Sequence, residues 1–125
     1  MEISILKPVE RIVDILHPGT GEPMNIKVGI VSLNDEKTKL VRRKIQNKRI
    51  DFEKRGKSFK ADDLEDNEIE LLINCITSWD WSDNTFHDAV PEFNEKNVKQ
   101  VLKELPWFKS QVVDAIGDEK AFFQN

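Results

Sequence analysis

The sequence predicts a mostly helical α+β fold in which an N-terminal β-hairpin is followed by about four helices packed around a central helix. Two observations indicate this fold. Short β-branched segments flank a turn near the N-terminus, and apolar residues recur every three to four positions in the later segments. A chain of 125 residues fits one domain. We expect that domain to cover residues 1–125, with the hairpin in 9–33 and helices in 35–55, 62–79, 95–105 and 107–117.

The hairpin prediction rests on two segments and the turn between them. Glu10–Leu16 is short and rich in β-branched residues, and Met24–Leu33 begins with alternating apolar and polar residues. His17–Pro23 contains two prolines and two glycines, which indicates a turn. Because an isolated hairpin is marginally stable in water, we expect this one to pack on helices or to pair with another strand.

The central helix is predicted from the segment Glu68–Trp81. Its apolar residues recur at the spacing of one helix face, namely at Ile69, Leu72, Ile73, Ile76 and Trp79. We expect these five side chains to form the core together with Val98 and Leu102 of the next helix. Asn94 is a good N-cap for that helix, and Pro106 suits the first position of the last helix.

The composition favours a protein of a reducing compartment that binds neither membranes nor nucleic acid in general. The net charge is −4, and Cys75 is the only cysteine, which excludes an internal disulfide. The first ten residues lack the features of a signal peptide. No apolar stretch approaches the roughly 20 residues of a membrane span. We therefore expect a cytoplasmic location.

The chain shows no recognisable catalytic or metal-binding pattern. His17 and His87 are isolated from each other and from Cys75, so they do not form a zinc motif. The acidic loop that begins at Asp80 has Thr85 and Pro91 where a calcium loop requires glycine and glutamate. No glycine-rich phosphate loop or nucleophile motif is present. We predict no enzymatic activity, no cofactor and no metal.

The charges are segregated along the chain. Eleven of the 19 Lys and Arg residues lie between Lys37 and Lys60, whereas the segment Ala61–Glu95 contains eleven Asp and Glu residues and no Lys or Arg. The basic 37–60 segment is interpreted first as a solvated face partly paired with acidic side chains. The alternatives are binding of an acidic protein partner and binding of nucleic acid, and the second would make the chain a small regulatory protein.

Aromatic residues are concentrated in the C-terminal half of the chain. Trp79 and one of Trp107 and Phe108 are expected in the core, but an acidic loop and a chain terminus are less usual places for buried aromatics. Exposed aromatics of this kind often bind partners. The candidate partner-binding residues are Trp81, Phe93, Trp107, Phe108, Phe122 and Phe123.

Several of these features follow one another in a familiar order. A helical segment ends at Trp79, and the next helix starts at Phe93 and Asn94 and carries Val98 and Leu102. The step Leu105-Pro106-Trp107 follows, then Val112, and finally the pair Phe122–Phe123. This order and spacing resemble the phage tail assembly chaperones, small proteins of long-tailed phages and prophages. The N-terminal strand pair that leads into SLNDEKTKL also resembles this family. The resemblance covers about residues 10–124.

The resemblance implies a function without catalysis. Such chaperones bind the tape measure protein and keep it soluble until tail tube subunits polymerise around it, and they are absent from the finished virion. In many relatives a programmed frameshift adds a C-terminal extension that recruits the tail tube protein. The family has no catalytic residue to assign here. The segregated charges additionally suit either a homo-oligomer held together head to tail or a charged client. The alternative function is that of a small phage or prophage regulatory protein that binds nucleic acid through the basic 37–60 segment.

Overall fold

The computed structural model describes residues 2–3, 8–32, 36–54 and 61–123. The elements in chain order are β1 (Arg11–Leu16), β2 (Pro23–Ile30), α1 (Glu36–Lys54), α2 (Ala61–Cys75), β3 (Ile76–Asp80), α3 (Glu95–Glu104) and α4 (Pro106–Gly117), followed by a 3₁₀ turn (Glu119–Phe123). The fold is therefore α+β and mostly helical, as predicted. Residues 33, 35 and 55, at the ends of the predicted hairpin and first helix, lie outside the described residues.

A third strand completes the hairpin. The three strands form one antiparallel sheet in the order β1-β2-β3. The prediction that the central helix extends to Trp79 is wrong, because α2 ends at Cys75 and Ile76–Asp80 pairs with β2. Ile76, Thr77 and Trp79 all favour strands, and pairing with β2 satisfies backbone groups that a lone hairpin would leave open.

The pairing of β2 with β3 contains a bulge at Gly29. Gly29 lies opposite Ser78, and Ile30 lies opposite Ile76, so Thr77 is the additional residue on β3. A Cβ atom on Gly29 would lie 2.5 Å from Ser78 Oγ and 2.8 Å from Thr77 Oγ1. A side chain at position 29 would therefore force these two hydroxyl groups to move.

The core lies between one face of the sheet and the helices α2, α3 and α4. Its strands contribute Ile15, Ile26, Val28, Ile30 and Ile76, and its helices contribute Ile69, Leu72, Val98, Val101, Leu102, Phe108, Val112 and Ile116. Ile73 and Trp79, which were predicted as core residues, are partly buried and pack against this cluster. Each buried branched side chain contributes about 1.5–3 kcal/mol relative to an exposed one.

Helix α1 packs on the junction between α2 and β3. Thr38 is completely buried, and its hydroxyl donates to the Ser32 carbonyl oxygen at 3.3 Å. The same hydroxyl lies 3.8 Å from the sulfur of Cys75. The other side of α1 is exposed, including Leu40 and Ile50.

The outer edge of β1 is closed by the C-terminal elements. The Gln111 side chain accepts the Leu16 N–H at 2.8 Å and donates to the Leu16 carbonyl oxygen at 2.8 Å. The Phe122 carbonyl oxygen accepts the Val9 N–H at 2.8 Å, and the Arg11 guanidinium lies over the Phe122 ring at 5.4 Å. Within the described ranges, no helix has the length and apolarity needed to cross a membrane.

Candidate functional site: an aromatic cluster and its groove

Strand β3 and the residue directly after it place two tryptophans on the core side of the sheet. Trp79 and Trp81 are two residues apart, and side chains at this spacing share a face of an extended chain. Their rings meet edge to face with centroids 5.5 Å apart. Trp81 also stacks on Phe108 of α4, with centroids 5.7 Å apart and planes at 17°. Both arrangements are favourable geometries for aromatic pairs.

These contacts extend into a cluster of six rings. Phe93 meets Trp79 at 5.7 Å, Phe86 lies 6.1 Å from Trp81, and Trp107 lies 5.9 Å from Phe108. We call this set the aromatic cluster: Trp79, Trp81, Phe86, Phe93, Trp107 and Phe108. It combines four of the six residues predicted to bind a partner.

The aromatic cluster has a buried part and an exposed part. Trp81 and Phe108 are 4% and 0% exposed, so the prediction that they bind a partner at the surface is wrong for both. Phe93 is 44% exposed, and Val90, three residues earlier in the same loop, is 52% exposed. Trp107 is partly buried and packs against the core. The exposed part of the aromatic cluster is therefore Phe93, and Val90 is a second exposed apolar side chain of the same loop.

The two terminal phenylalanines lie apart from the aromatic cluster. Phe122 is completely buried beneath Arg11, so its predicted role in partner binding is also wrong. Phe123 is 43% exposed. Within the described residues, no ring contact joins either one to the six rings of the cluster.

The loop that presents Phe93 and Val90 is fixed by side-chain hydrogen bonds. The amide of Asn84 donates to the Met24 carbonyl oxygen at 2.7 Å, and the Ser82 hydroxyl donates to the Asn25 carbonyl oxygen at 2.9 Å. Trp79 Nε1 donates to the Pro91 carbonyl oxygen at 3.1 Å. The beginning of the loop is thus tied to β2 and its end to β3, although the loop has no regular secondary structure.

A tight turn projects from this loop. His87 and Asp88 both have positive φ angles, 53° and 68°, and the flanking Phe86 and Ala89 pair as a bridge. Positive φ at both central residues is what a two-residue type I′ turn requires. His87 Nε2 lies 3.0 Å from a carboxylate oxygen of Glu104. This hydrogen bond lowers the pKa of Glu104 and links the turn to the end of α3.

A shallow groove lies beside Phe86 of the aromatic cluster and is lined by Val90, whereas Phe93 is not part of its lining. Its volume is about 430 Å³, and it is lined by Phe86, His87, Ala89, Val90, Pro91, Glu92, Asn97 and Gln100. The loop side of the lining mixes apolar residues with His87 and Glu92, and the α3 side is polar. This size is in the range of ligand pockets in proteins, and an open groove of this kind can accept an apolar side chain of a bound segment. Neither Val90 nor this groove was predicted from the sequence, because no periodicity marks a loop.

The basic side chains of α1 form a separate surface. Lys39, Arg42, Arg43 and Lys44 are exposed, and none of them makes an ion pair within the described part of the chain. Acidic residues of α2 pair elsewhere: Asp66 lies 3.0 Å from Lys103, and Glu68 lies 3.4 Å from Lys109. Two acids of α2 therefore form ion pairs with α3 and α4, and these four basic side chains of α1 remain solvated.

The described residues contain no group of three or more His, Cys, Asp and Glu side chains that could hold a metal ion. The aromatic cluster and its groove are therefore the most developed candidate for binding. No protein-family model, curated protein or solved structure matches this chain.

Proposed function

We propose that this protein is a non-catalytic chaperone of phage tail assembly. In this proposal it binds apolar segments of the tape measure protein in the host cytoplasm and keeps that protein soluble until the tail tube forms. It leaves before the virion is complete, and a frameshifted longer form recruits the tail tube protein. The observation that carries the proposal is the exposure of Phe93 and Val90, at 44% and 52%, on a hydrogen-bonded loop.

The fixed loop supports binding because little conformational entropy is lost when a partner arrives. Side chains that are already ordered avoid a cost of about 0.5–1.5 kcal/mol each on binding. Phe93 is held by its edge contact with Trp79, and the Trp79 indole is in turn held by Pro91. An aromatic residue with this support is the usual kind of binding anchor.

The small size of the exposed surface is consistent with a temporary contact. Stable complexes usually bury more than about 1,000 Å² in total, whereas this surface consists of one aromatic ring, one valine and the adjoining groove. A chaperone that must be displaced by polymerising tube subunits requires a contact that can be broken. Several copies bound along one long client would supply the necessary total affinity.

The test is co-expression with the tape measure protein of the same phage or prophage, followed by pull-down and size-exclusion chromatography. We expect the wild-type chain to render the client soluble and to co-elute with it. The double variant Val90→Ser/Phe93→Ser should bind at least about tenfold more weakly, as loss of an aromatic anchor usually does. Phe123→Ser is the matched control, because Phe123 is equally exposed but lies outside the aromatic cluster.

Two results would contradict the proposal. A tape measure protein that remains insoluble and unbound beside the wild-type chain would exclude the function. Equal loss of binding in the Phe123→Ser control and the double variant would place the client elsewhere on the surface.

A further inference from the structure

Helix α1 carries a concentrated positive charge on an otherwise anionic protein. It contains eight Lys and Arg residues and three Asp and Glu residues, a net charge of +5. Because the whole chain carries −4, the residues outside α1 together carry −9. Lys39, Arg42, Arg43 and Lys44 are exposed and make no ion pair within the described part of the chain. Their charge is therefore open to a partner, and the proposed client site does not use it.

Two apolar side chains are exposed among these cations. Thr38 is buried and Ile45 is partly buried, so they mark the side of α1 that faces the protein. At about 100° per residue, Leu40 and Ile50 lie on the side turned away from it. Leu40 is 59% exposed and Ile50 is 43% exposed. Single exposed apolar residues are ordinary, but these two share one side of one helix and lie about 15 Å apart along its axis.

The residues on this side have the spacing of a coiled-coil seam. Leu40, Arg43, Asn47 and Ile50 follow one another at intervals of three, four and three residues, which is the a–d–a–d pattern of a heptad repeat. An asparagine at one a position is a known feature of such seams, where it fixes the register of the two helices. We call these four residues the α1 outer face. All four are exposed, so no described element of this chain covers the face.

The residues that flank the seam determine the charge of a matching partner. Lys39 and Lys44 occupy the g and e positions beside Leu40 and Arg43, and these positions form ion pairs between the helices of a coiled coil. Two copies of α1 would set lysine opposite lysine, and like charges at these positions disfavour pairing. A helix with Glu or Asp at its own e and g positions offers the opposite charge. The matching helix is therefore apolar along its seam and acidic along both margins.

We propose that the α1 outer face binds an acidic amphipathic helix of a different protein. In this complex the apolar seam of the partner helix covers Leu40 and Ile50, and its carboxylates pair with the lysines beside the seam. Nucleic acid fits this face less well, because phosphates would leave the two apolar side chains uncovered. In addition, the charge of −9 outside α1 repels a long polyanion. The α1 outer face shares no residue with the aromatic cluster, so this inference stands apart from the proposed client site.

The binding of labelled peptides to the purified full chain tests the inference. The acidic probe is a peptide of about 21 residues with Leu at its a and d positions, one central Asn at a, and Glu at e and g. A basic peptide of the same design has Lys at e and g. A poly-Glu peptide of equal length carries negative charge without the seam. At about 0.1 M NaCl we expect fluorescence anisotropy to show saturable binding of the acidic probe, at least about tenfold tighter than that of either other peptide.

A charge variant tests the ionic part of the contact. Arg43→Glu/Lys44→Glu should weaken binding of the acidic probe at least about tenfold and strengthen binding of the basic peptide, because it reverses the charge beside the seam. Lys96→Glu/Lys99→Glu is the matched control. It makes the same change in net charge with two exposed lysines of α3, and it should bind the acidic probe like the wild type.

An apolar variant tests the seam itself. Leu40→Ser/Ile50→Ser leaves every charge in place and should still weaken binding of the acidic probe at least about tenfold, because it removes the two apolar anchors. Phe123→Ser is the matched control, since Phe123 and Ile50 are both 43% exposed and Phe123 lies outside α1. This control should bind the acidic probe like the wild type.

Circular dichroism shows that each variant is folded before its binding is compared. A wild-type chain that does not bind the acidic probe would overturn the inference, and so would equal binding of poly-Glu, because charge alone would then suffice. Equal loss of binding in either control variant would place the probe elsewhere on the molecule. Sedimentation velocity and a gel shift with mixed DNA and RNA identify the other occupants. Self-association that the apolar variant abolishes, without probe binding by the wild type, would assign the face to a second copy. Tight, salt-sensitive nucleic-acid binding that only the charge variant abolishes would assign it to nucleic acid.

Discussion

The buried and exposed parts of the aromatic cluster are made of the same residue types, yet their surroundings differ completely. Trp81 and Phe108 stack in the core, while Phe93 is 44% exposed and contacts the cluster through Trp79. The buried pair gains its full hydrophobic stabilisation from the fold. Phe93 retains exposed surface that a partner can cover. The comparison shows that an exposed aromatic residue can be fixed by a core to which it contributes little.

The largest effect is expected from truncation in the buried part. Phe108→Ala should lower the free energy of unfolding by about 3–5 kcal/mol, because it removes a buried ring and leaves a cavity beside Trp81. Urea denaturation followed by circular dichroism measures the loss. A loss below about 1 kcal/mol would mean that the stacked pair is not part of the core.

A smaller effect on stability is expected at Trp79, where the buried and exposed parts of the aromatic cluster meet. Trp79→Phe removes the hydrogen bond to the Pro91 carbonyl oxygen and should cost about 0.5–1.5 kcal/mol from that bond alone. Limited proteolysis should then cut the segment 82–93 faster than in the wild type. Trp107→Phe is the matched control, because the indole of Trp107 has no hydrogen-bond partner among the described residues. Equal proteolysis of both variants would show that the Trp79 hydrogen bond does not hold the loop.

In the exposed part of the aromatic cluster, a substitution should have a small effect on stability and a large effect on client binding. Phe93→Ala should change the free energy of unfolding by no more than about 1 kcal/mol, in the lower range for single substitutions, and should weaken client binding far more than Phe123→Ala. Thermal unfolding measures the change in stability, and the client pull-down measures the change in binding. A destabilisation as large as that of Phe108→Ala would remove the distinction between the two parts.

The smallest effect concerns the turn beside the groove. The hydrogen bond from His87 lowers the pKa of Glu104 in the folded protein, so this carboxylate stabilises the fold at neutral pH and the benefit is lost as pH falls through that lowered pKa. Glu104→Gln should therefore lose less stability than the wild type between neutral and acid pH. The same substitution made in a His87→Ala background should show a smaller difference, because the Gln100 side chain still lowers the pKa of Glu104. Denaturation across that pH range compares the four proteins.

The helices near the C-terminus were predictable because their signals are local. Asn94 accepts the Asn97 N–H at 2.8 Å as an N-cap, and Pro106 begins α4. The helix predicted over 95–105 spans Glu95–Glu104, and the one predicted over 107–117 spans Pro106–Gly117. Caps and prolines act on their immediate neighbours, so the sequence contains the information that fixes them.

Strand β3 and the burial of individual aromatics were not predictable in the same way. Ile76 and Trp79 continue the apolar spacing of α2, but pairing with β2, about 50 residues away in the chain, decides their conformation. Trp81 directly follows β3 and is buried on the same side of the extended chain as Trp79, which helical spacing conceals. Phe122 and Phe123 are adjacent, and only their packing in the fold determines which of them is buried. Long-range pairing and packing override local propensity at all of these positions.

The position of Cys75 gives the protein a built-in reporter. This single thiol is completely buried where α1, α2 and β3 meet, and it lies 3.8 Å from the hydroxyl of Thr38. A thiol reagent can reach it only when α1 separates from α2 or the whole domain opens. The rate of its modification therefore measures a local opening equilibrium. Comparing that rate with the global unfolding rate would show whether α1 detaches independently, with no label added to the natural sequence.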